Sequence, residues 1–149
     1  MGFLDGLLTR RIDTEIAWLK ELRKSSEDWY NQLTQPLLPL LQGKIDVTAP
    51  GVAEKYKAIA EELLREAFIV NAGDEVNNLF QEMGKRGLPF FTSRAALTPL
   101  IAEYLEAGLF LKRIVYGFDP DRARDKWKHF QISKDALVTE INGQLRRIG

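Results

Sequence analysis

The sequence predicts an all-α fold, and three observations support this prediction. Apolar residues recur at intervals of three and four over most of the chain, which is the period of an amphipathic helix. Pro and Gly residues mostly stand where these periodic segments start or end. Only residues 44–47 and 130–132 alternate as strands do, and both are too short to establish a sheet. We therefore predict a bundle of about five to seven helices.

The length and composition favour one domain that spans residues 1–149. A chain of 149 residues is long enough for one hydrophobic core, and no polar linker divides it. It has 45% hydrophobic and 28% charged residues, which is close to an ordinary globular protein. Its 21 basic residues balance its 21 acidic residues, so the whole molecule has no strong field toward nucleic acid or anionic membranes.

The first predicted helix is amphipathic and reaches the first prolines. One apolar stripe and a second line beside it indicate packing on more than one side. The stripe consists of Leu8, Ile12, Ile16 and Leu19, and the second line of Trp18, Leu22, Trp29 and Leu33. Residues 25–28 read equally well as a break with a new cap or as continuous helix. Pro36 and Pro39 remove backbone donors, so the helix ends or kinks there.

The middle of the chain contains the clearest helical period. Residues 43–51 form the main irregular connection. The helix that follows has Ala53, Tyr56, Ile59, Ala60, Leu63, Leu64, Ala67 and Phe68 on one face. Another stripe, Val76, Leu79, Phe80 and Met83, continues the pattern, with residues 71–74 as either a cap or a weak point. Gly84 provides a left-handed C-terminal cap.

The last third predicts three helices. Residues 98–116 form an apolar helix that starts at Thr98-Pro99 and ends before Gly117. Because Glu103 and Glu106 are its only ionisable residues between 100 and 111, we expect it to lie centrally or at a subunit interface. Asp119-Pro120 starts a basic helix that runs to about residue 130. Residues 133–135 open the last helix, which ends in a basic turn.

No group of residues predicts a catalytic, metal or cofactor site. Cysteine is absent, and His129 is the only histidine, so thiol chemistry and multi-histidine metal sites are excluded. Glu103 and Glu106 lie one turn apart on the least polar helix, but two carboxylates at the edge of a buried helix are common. Residues 84–87 lack the spacing of a phosphate-binding loop. We expect a non-enzymatic protein without cofactors.

Two surfaces are candidates for binding. The loop of residues 87–93 contains Leu88, Phe90 and Phe91, which either cover the core or anchor a protein partner.

The second candidate surface is basic and belongs to the C-terminal part of the chain. Residues 53–83 hold three basic against seven acidic residues, a balance of −4, whereas residues 84–149 hold twelve against seven, a balance of +5. Its candidate residues for phosphate contact are Arg122, Arg124, Lys126, Lys128, Arg146 and Arg147.

These features favour a helical interaction or assembly subunit, either structural or an adaptor, that binds copies of itself or other chains. An acidic central surface and a basic C-terminal surface fit head-to-tail contact. Components of viral particles or nucleoprotein complexes fit the same description. The alternative hypothesis is a helical subunit that binds the nucleic-acid backbone. The N-terminal residues do not have the pattern of a signal peptide, and no segment reads as a membrane span, so we expect a cytoplasmic protein or one assembled inside the cell.

Overall fold

The computed structural model describes residues 2–66 and 97–148, and most of these residues are helical. Four long helices occur in these two ranges: α1 (Gly2–Thr34), α2 (Val52–Glu66), α3 (Leu97–Val115) and α4 (Pro120–Ile148). The two described ranges contain no strand. The predicted all-α class is therefore confirmed, whereas the predicted five to seven helices are not matched by the four long helices of the described chain.

Helix α1 is continuous through residues 25–28, where the sequence left a break open. Ser26 is buried, and it lies seven residues from both Leu19 and Leu33, which are also buried. Seven residues are nearly two full helical turns, so all three side chains lie on one face. The serine therefore belongs to the packed face of α1 rather than to a new N-terminus.

Helix α4 is also continuous, so the predicted separation of a basic helix and a last helix near residues 130–133 is wrong. The buried positions Ala123, Phe130, Leu137 and Gln144 follow one another at intervals of seven across the expected break. Ser133 has the chemistry of a helix cap, but a single face packs on the rest of the bundle on both sides of it. Tertiary packing therefore maintains one helix of 29 residues.

The two prolines end α1 as predicted. After Thr34 the chain forms a 3-10 turn (Gln35–Leu37) and one α-helical turn (Leu38–Leu41), with a proline near the start of each. Gly43 then takes a positive φ of 66°, and the guanidinium of Arg124 on α4 lies against it. Arg124 Nε also donates a 2.9 Å hydrogen bond to the carbonyl of Leu41. This contact fixes the turn after α1 to the start of α4.

The connection between α3 and α4 follows the predicted stop and start signals. Gly117 has a φ of 77°, which favours glycine, and the amide of Asp119 donates to the carbonyl of Arg113 at 2.8 Å. The Asp119 carboxylate then accepts a 3.1 Å hydrogen bond from the amide of Arg122. It therefore caps the first turn of α4.

The described apolar core consists of two clusters. The larger one joins the end of α1, the proline turns, α2, the second half of α3 and the first half of α4. The smaller one joins the middle of α1, the start of α3 and the second half of α4, and it contains Trp18, Leu19, Leu22, Leu100, Leu137 and Ile141. Successive contacts show that α1 and α3 run in the same direction, while α4 runs against both.

Candidate functional site

A polar layer separates the two apolar clusters. Ser26 of α1 and Glu103 of α3 are buried, and Lys134 of α4 lies at the same level. The Ser26 hydroxyl donates a 2.7 Å hydrogen bond to Glu103 Oε1. Lys134 Nζ lies 3.1 Å from a carboxylate oxygen of Asp135 and 4.8 Å from the ring centroid of Tyr30. One polar residue from each of three helices therefore lies between the two apolar clusters.

Burial raises the pKa of Glu103 from 4.5 to about 7. The cause is desolvation, because the side chain is 0% exposed and a charge there loses its hydration. The hydrogen bond from Ser26 and the positive charge of Lys134 lower this pKa, but they offset only part of the burial effect. Glu103 Oε2 has no hydrogen-bond partner among the described residues. Glu103 is therefore a buried carboxyl group with unused hydrogen-bonding capacity.

A cavity of about 320 Å³ lies between α1 and α3 beside this carboxyl group. Its lining residues are Leu22, Ser25, Ser26, Asp28, Trp29, Gln32, Leu100, Glu103 and Tyr104. The rings of Trp29 and Tyr104 pack with centroids 4.6 Å apart. Ser25, Asp28 and Gln32 are exposed, so they form the solvent side of the cavity, and Glu103 lies at its buried side. We call this feature the α1–α3 cavity.

The described side chains that line the α1–α3 cavity include hydrogen-bonding groups and aromatic rings. The Ser26 hydroxyl donates a hydrogen bond to the Glu103 carboxyl group, and the described residues that line the cavity include no histidine, lysine or arginine. The described side chains contain no group of three His, Cys, Asp or Glu residues placed to hold a metal ion. The lining can instead accept hydrogen bonds at Glu103 and Asp28 and contact apolar groups through its rings.

A second feature is an exposed apolar stripe on the outer face of α3. Four large apolar side chains are exposed among the described residues, and three of them lie on this face: Leu105 at 56%, Leu109 at 39% and Tyr116 at 68%. Tyr116 directly follows the last residue of α3, and its amide still donates to the Lys112 carbonyl at 2.9 Å. The spacing of four and seven residues therefore places all three side chains on one side of the helix. The opposite side carries Ala107, Phe110 and Ile114, which are fully buried. We call the exposed set the α3 stripe.

The sequence prediction of an apolar helix near residues 98–116 corresponds to α3, which begins at Leu97 and ends at Val115. This helix packs on α2 and α4 and contributes to both core clusters. Its outer face nevertheless remains exposed. The helix is thus part of the core on one side and a surface on the other.

The structure separates the predicted basic residues into two groups. Arg122, Lys128, Arg146 and Arg147 are exposed, whereas Arg124 and Lys126 are half-buried. Arg124 donates to the Leu41 carbonyl, and Arg122 lies 3.5 Å from a carboxylate oxygen of Asp119. Residues 122 and 146 belong to one continuous helix, so about 36 Å of helix axis separates them at 1.5 Å per residue. The six residues do not form one patch.

The structure does not test the other predicted binding surface. Its residues Leu88, Phe90 and Phe91 lie outside the described residues. Glu103 accepts a hydrogen bond from Ser26 on α1, and the structure shows no hydrogen bond between Glu103 and Glu106. One side-chain oxygen of Glu106 is buried and has no hydrogen-bond partner among the described residues.

Sequence reasoning missed Ser26, Trp29 and Tyr104 as members of a site. The available signal was the position of Ser26 in phase with the apolar stripe of α1. A polar residue at such a position must find a buried partner, because an unpaired buried hydroxyl is costly.

The described helices include none that is long and apolar enough to cross a bilayer. Comparison with known proteins adds no further assignment. No protein-family model, no curated protein and no solved structure matches this chain.

Proposed function

We propose that this protein is a helical assembly subunit that binds a second copy of itself through the α3 stripe. The observation that carries the proposal is the exposure of Leu105, Leu109 and Tyr116 on one face of a helix whose other face is core. Scattered exposed apolar residues are normal on a protein surface, but aligned ones are typical of an interface. Large apolar and aromatic anchors supply most of the binding energy in such contacts.

Lys112 extends the same face. It is exposed and lies between Leu109 and Tyr116 on the stripe. The aliphatic stem of a lysine covers apolar surface while its ammonium group stays in water. The stripe therefore reaches from Leu105 to Tyr116 without a buried charge, and about 16 Å of helix is available for contact at 1.5 Å per residue.

The charges beside the stripe favour a second copy as the partner. Glu106 and Arg113 are half-buried, and their spacing of seven residues places both on the same edge of the stripe. They also lie at nearly equal distances on either side of Leu109. A two-fold axis near Leu109 would align two α3 helices antiparallel and bring the same edges together. Glu106 of each copy would then face Arg113 of the other, so both charges gain an opposite partner.

The test is the molar mass of the protein in solution, measured by light scattering and sedimentation over a range of concentrations. We expect a dimer, and we expect Leu105→Glu to shift it to monomer because a carboxylate would be placed in an apolar contact. Ile132→Glu is the matched control, since Ile132 is a similarly exposed apolar residue on α4, away from the stripe. A wild-type protein that stays monomeric at every concentration would refute the proposal.

A charge exchange identifies the partner more sharply. Arg113→Glu would place two carboxylates opposite each other at both ends of the antiparallel pair and weaken the dimer. Adding Glu106→Arg in the same chain restores opposite charges, because each copy supplies both residues. Recovery of the dimer in the double variant supports the two-fold pair. A dimer that is indifferent to both changes argues against this geometry.

Nucleic-acid binding has less structural support than self-association. A phosphate backbone is bound by several cations on one surface. Here Arg124 bonds to a backbone carbonyl, Arg122 lies beside Asp119, and the Arg146–Arg147 pair is at the far end of α4. Retention on DNA or RNA that falls steeply with added salt would favour the nucleic-acid hypothesis instead.

A further inference from the structure

We propose that the α1–α3 cavity is a binding site for an organic cation, an alkylammonium or guanidinium group attached to a small apolar body. Neither the cavity nor this ligand class follows from self-association through the α3 stripe, which lies on the outer face of the same helix. Three properties of the cavity support the proposal: its size, the sign of the charge that lines it and an acceptor that the described residues leave unused.

The size and walls of the cavity suit a small organic molecule. Pockets for such ligands hold roughly 300–1,000 Å³, so the volume of about 320 Å³ is near the lower end of the range. Leu22 and Leu100 provide apolar contact on the two helices. Trp29 and Tyr104 provide aromatic surface, and cations are attracted to aromatic faces.

The carboxyl groups that line the cavity favour a cation over an anion. Among the described residues, the carboxyl groups that line the cavity are those of Glu103 and Asp28, and no described lysine or arginine lines it. Lys134 is close enough to lower the pKa of Glu103, but it is not among the lining residues. Its ammonium group lies beside the Asp135 carboxylate and the Tyr30 ring, which reduces its field at the cavity.

The unused acceptor is Glu103 Oε2. Glu103 is fully buried, and its Oε1 already accepts the hydrogen bond from Ser26. Oε2 has no such partner among the described residues, although a buried polar atom without a partner is costly. When Glu103 is ionised, a cationic N–H donor in the cavity would satisfy this oxygen and form a charge-assisted hydrogen bond. Asp28 at the solvent side would attract the same cation as it enters.

The test is an NMR titration of the ¹⁵N-labelled full chain with benzylammonium, and with benzyl alcohol as a neutral molecule of the same shape. The chain has three tryptophans, and each gives one indole N–H signal. We expect benzylammonium to shift the Trp29 signal, leave those of Trp18 and Trp127 in place and bind about tenfold more tightly than the alcohol. Equal binding of the two compounds, or shifts that do not include Trp29, would overturn the proposal.

Variants test whether the carboxyl groups of the cavity, rather than other charges of the protein, bind the cation. Glu103→Gln and Asp28→Asn should each weaken benzylammonium binding severalfold, and Asp28 is exposed, so its variant keeps the fold. Glu61→Gln is the matched control, because Glu61 is an exposed carboxyl residue of α2 that does not line the cavity. Equal losses in the control and in Glu103→Gln would refute the role of the cavity. Leu105→Glu should bind benzylammonium as wild type does, which keeps this test independent of self-association.

The source of the cation is distinguished by comparing butylguanidinium with a short capped peptide that contains one arginine. Both present the same head group to Glu103. Tighter binding of the peptide identifies the occupant as a side chain of a protein partner, whereas tighter binding of butylguanidinium identifies a free small molecule. If neither compound shifts the Trp29 signal, the proposal is wrong.

Discussion

Replacing Glu103 by glutamine tests the electrostatics of the polar layer. Glutamine has nearly the same shape, and its side-chain oxygen can still accept the hydrogen bond from Ser26. It cannot ionise, however, so the variant removes the cost of a buried charge. The consequence for stability depends on pH, and its sign follows from the pKa in the folded and unfolded states.

Burial raises the pKa of Glu103 from 4.5 in the unfolded chain to about 7 in the folded protein. Between these two pH values the folded protein retains a proton that the unfolded chain has released. The stability that this proton provides is fully present below pH 4.5 and is lost as the pH rises to about 7. One pKa unit corresponds to about 1.4 kcal/mol, so the wild type loses about 3 kcal/mol over this interval through Glu103 alone.

The assay is denaturant unfolding of wild type and Glu103→Gln, followed by tryptophan fluorescence and circular dichroism at a series of pH values. Both proteins share all other titrating groups, so the contribution of these groups cancels when the two free energies of unfolding are subtracted. We expect the variant to gain about 3 kcal/mol relative to wild type between roughly pH 4 and pH 8. A difference that stays constant with pH, or that falls as the pH rises, would show that burial does not dominate the pKa of Glu103.

Other predictions concern packing and the turns. Phe130→Ala should cost about 3–5 kcal/mol of stability in denaturant unfolding, because Phe130 is fully buried and packs against three other aromatic rings. Arg124→Ala should cost roughly 1.5–3 kcal/mol by removing the donor to the Leu41 carbonyl, whereas Arg122→Ala should change stability by less than about 1 kcal/mol. Equal effects of the two arginine changes would contradict a stabilising contribution from the partly buried hydrogen bond of Arg124. Gly43→Ala should lower the thermal unfolding midpoint, since its φ is 66° and a Cβ there would lie 3.1 Å from Arg124 Nη2. An unchanged midpoint would refute this strain.

The fold class and several helix ends were predictable from the sequence. Pro36 and Pro39 end α1, and Gly117 separates α3 from α4. The Asp119 cap also stands where the sequence placed it. These features depend on backbone donors, allowed φ values and one side-chain hydrogen bond, which act within a few residues.

The number of helices was not predictable from the same local signals. Ser26 and Ser133 both have the chemistry of a cap, yet both lie inside continuous helices. A serine starts a helix only when the turn before it has no reason to remain helical. In α1 and α4 the faces that continue across these serines pack against other helices, so tertiary contacts outweigh the local preference.

The sequence by itself determined which residues can form helices and which of their faces are apolar, because periodicity is a property of the neighbouring residues. Only the tertiary structure decided how the helices align. Their alignment brings Ser26, Glu103 and Lys134 to one level and leaves a cavity beside them. It also leaves Leu105, Leu109 and Tyr116 in solvent on a helix that the sequence placed either in the core or at an interface. Burial depends on which helix faces pack against each other, and these faces are distant in sequence. The local pattern of apolar residues does not specify that pairing.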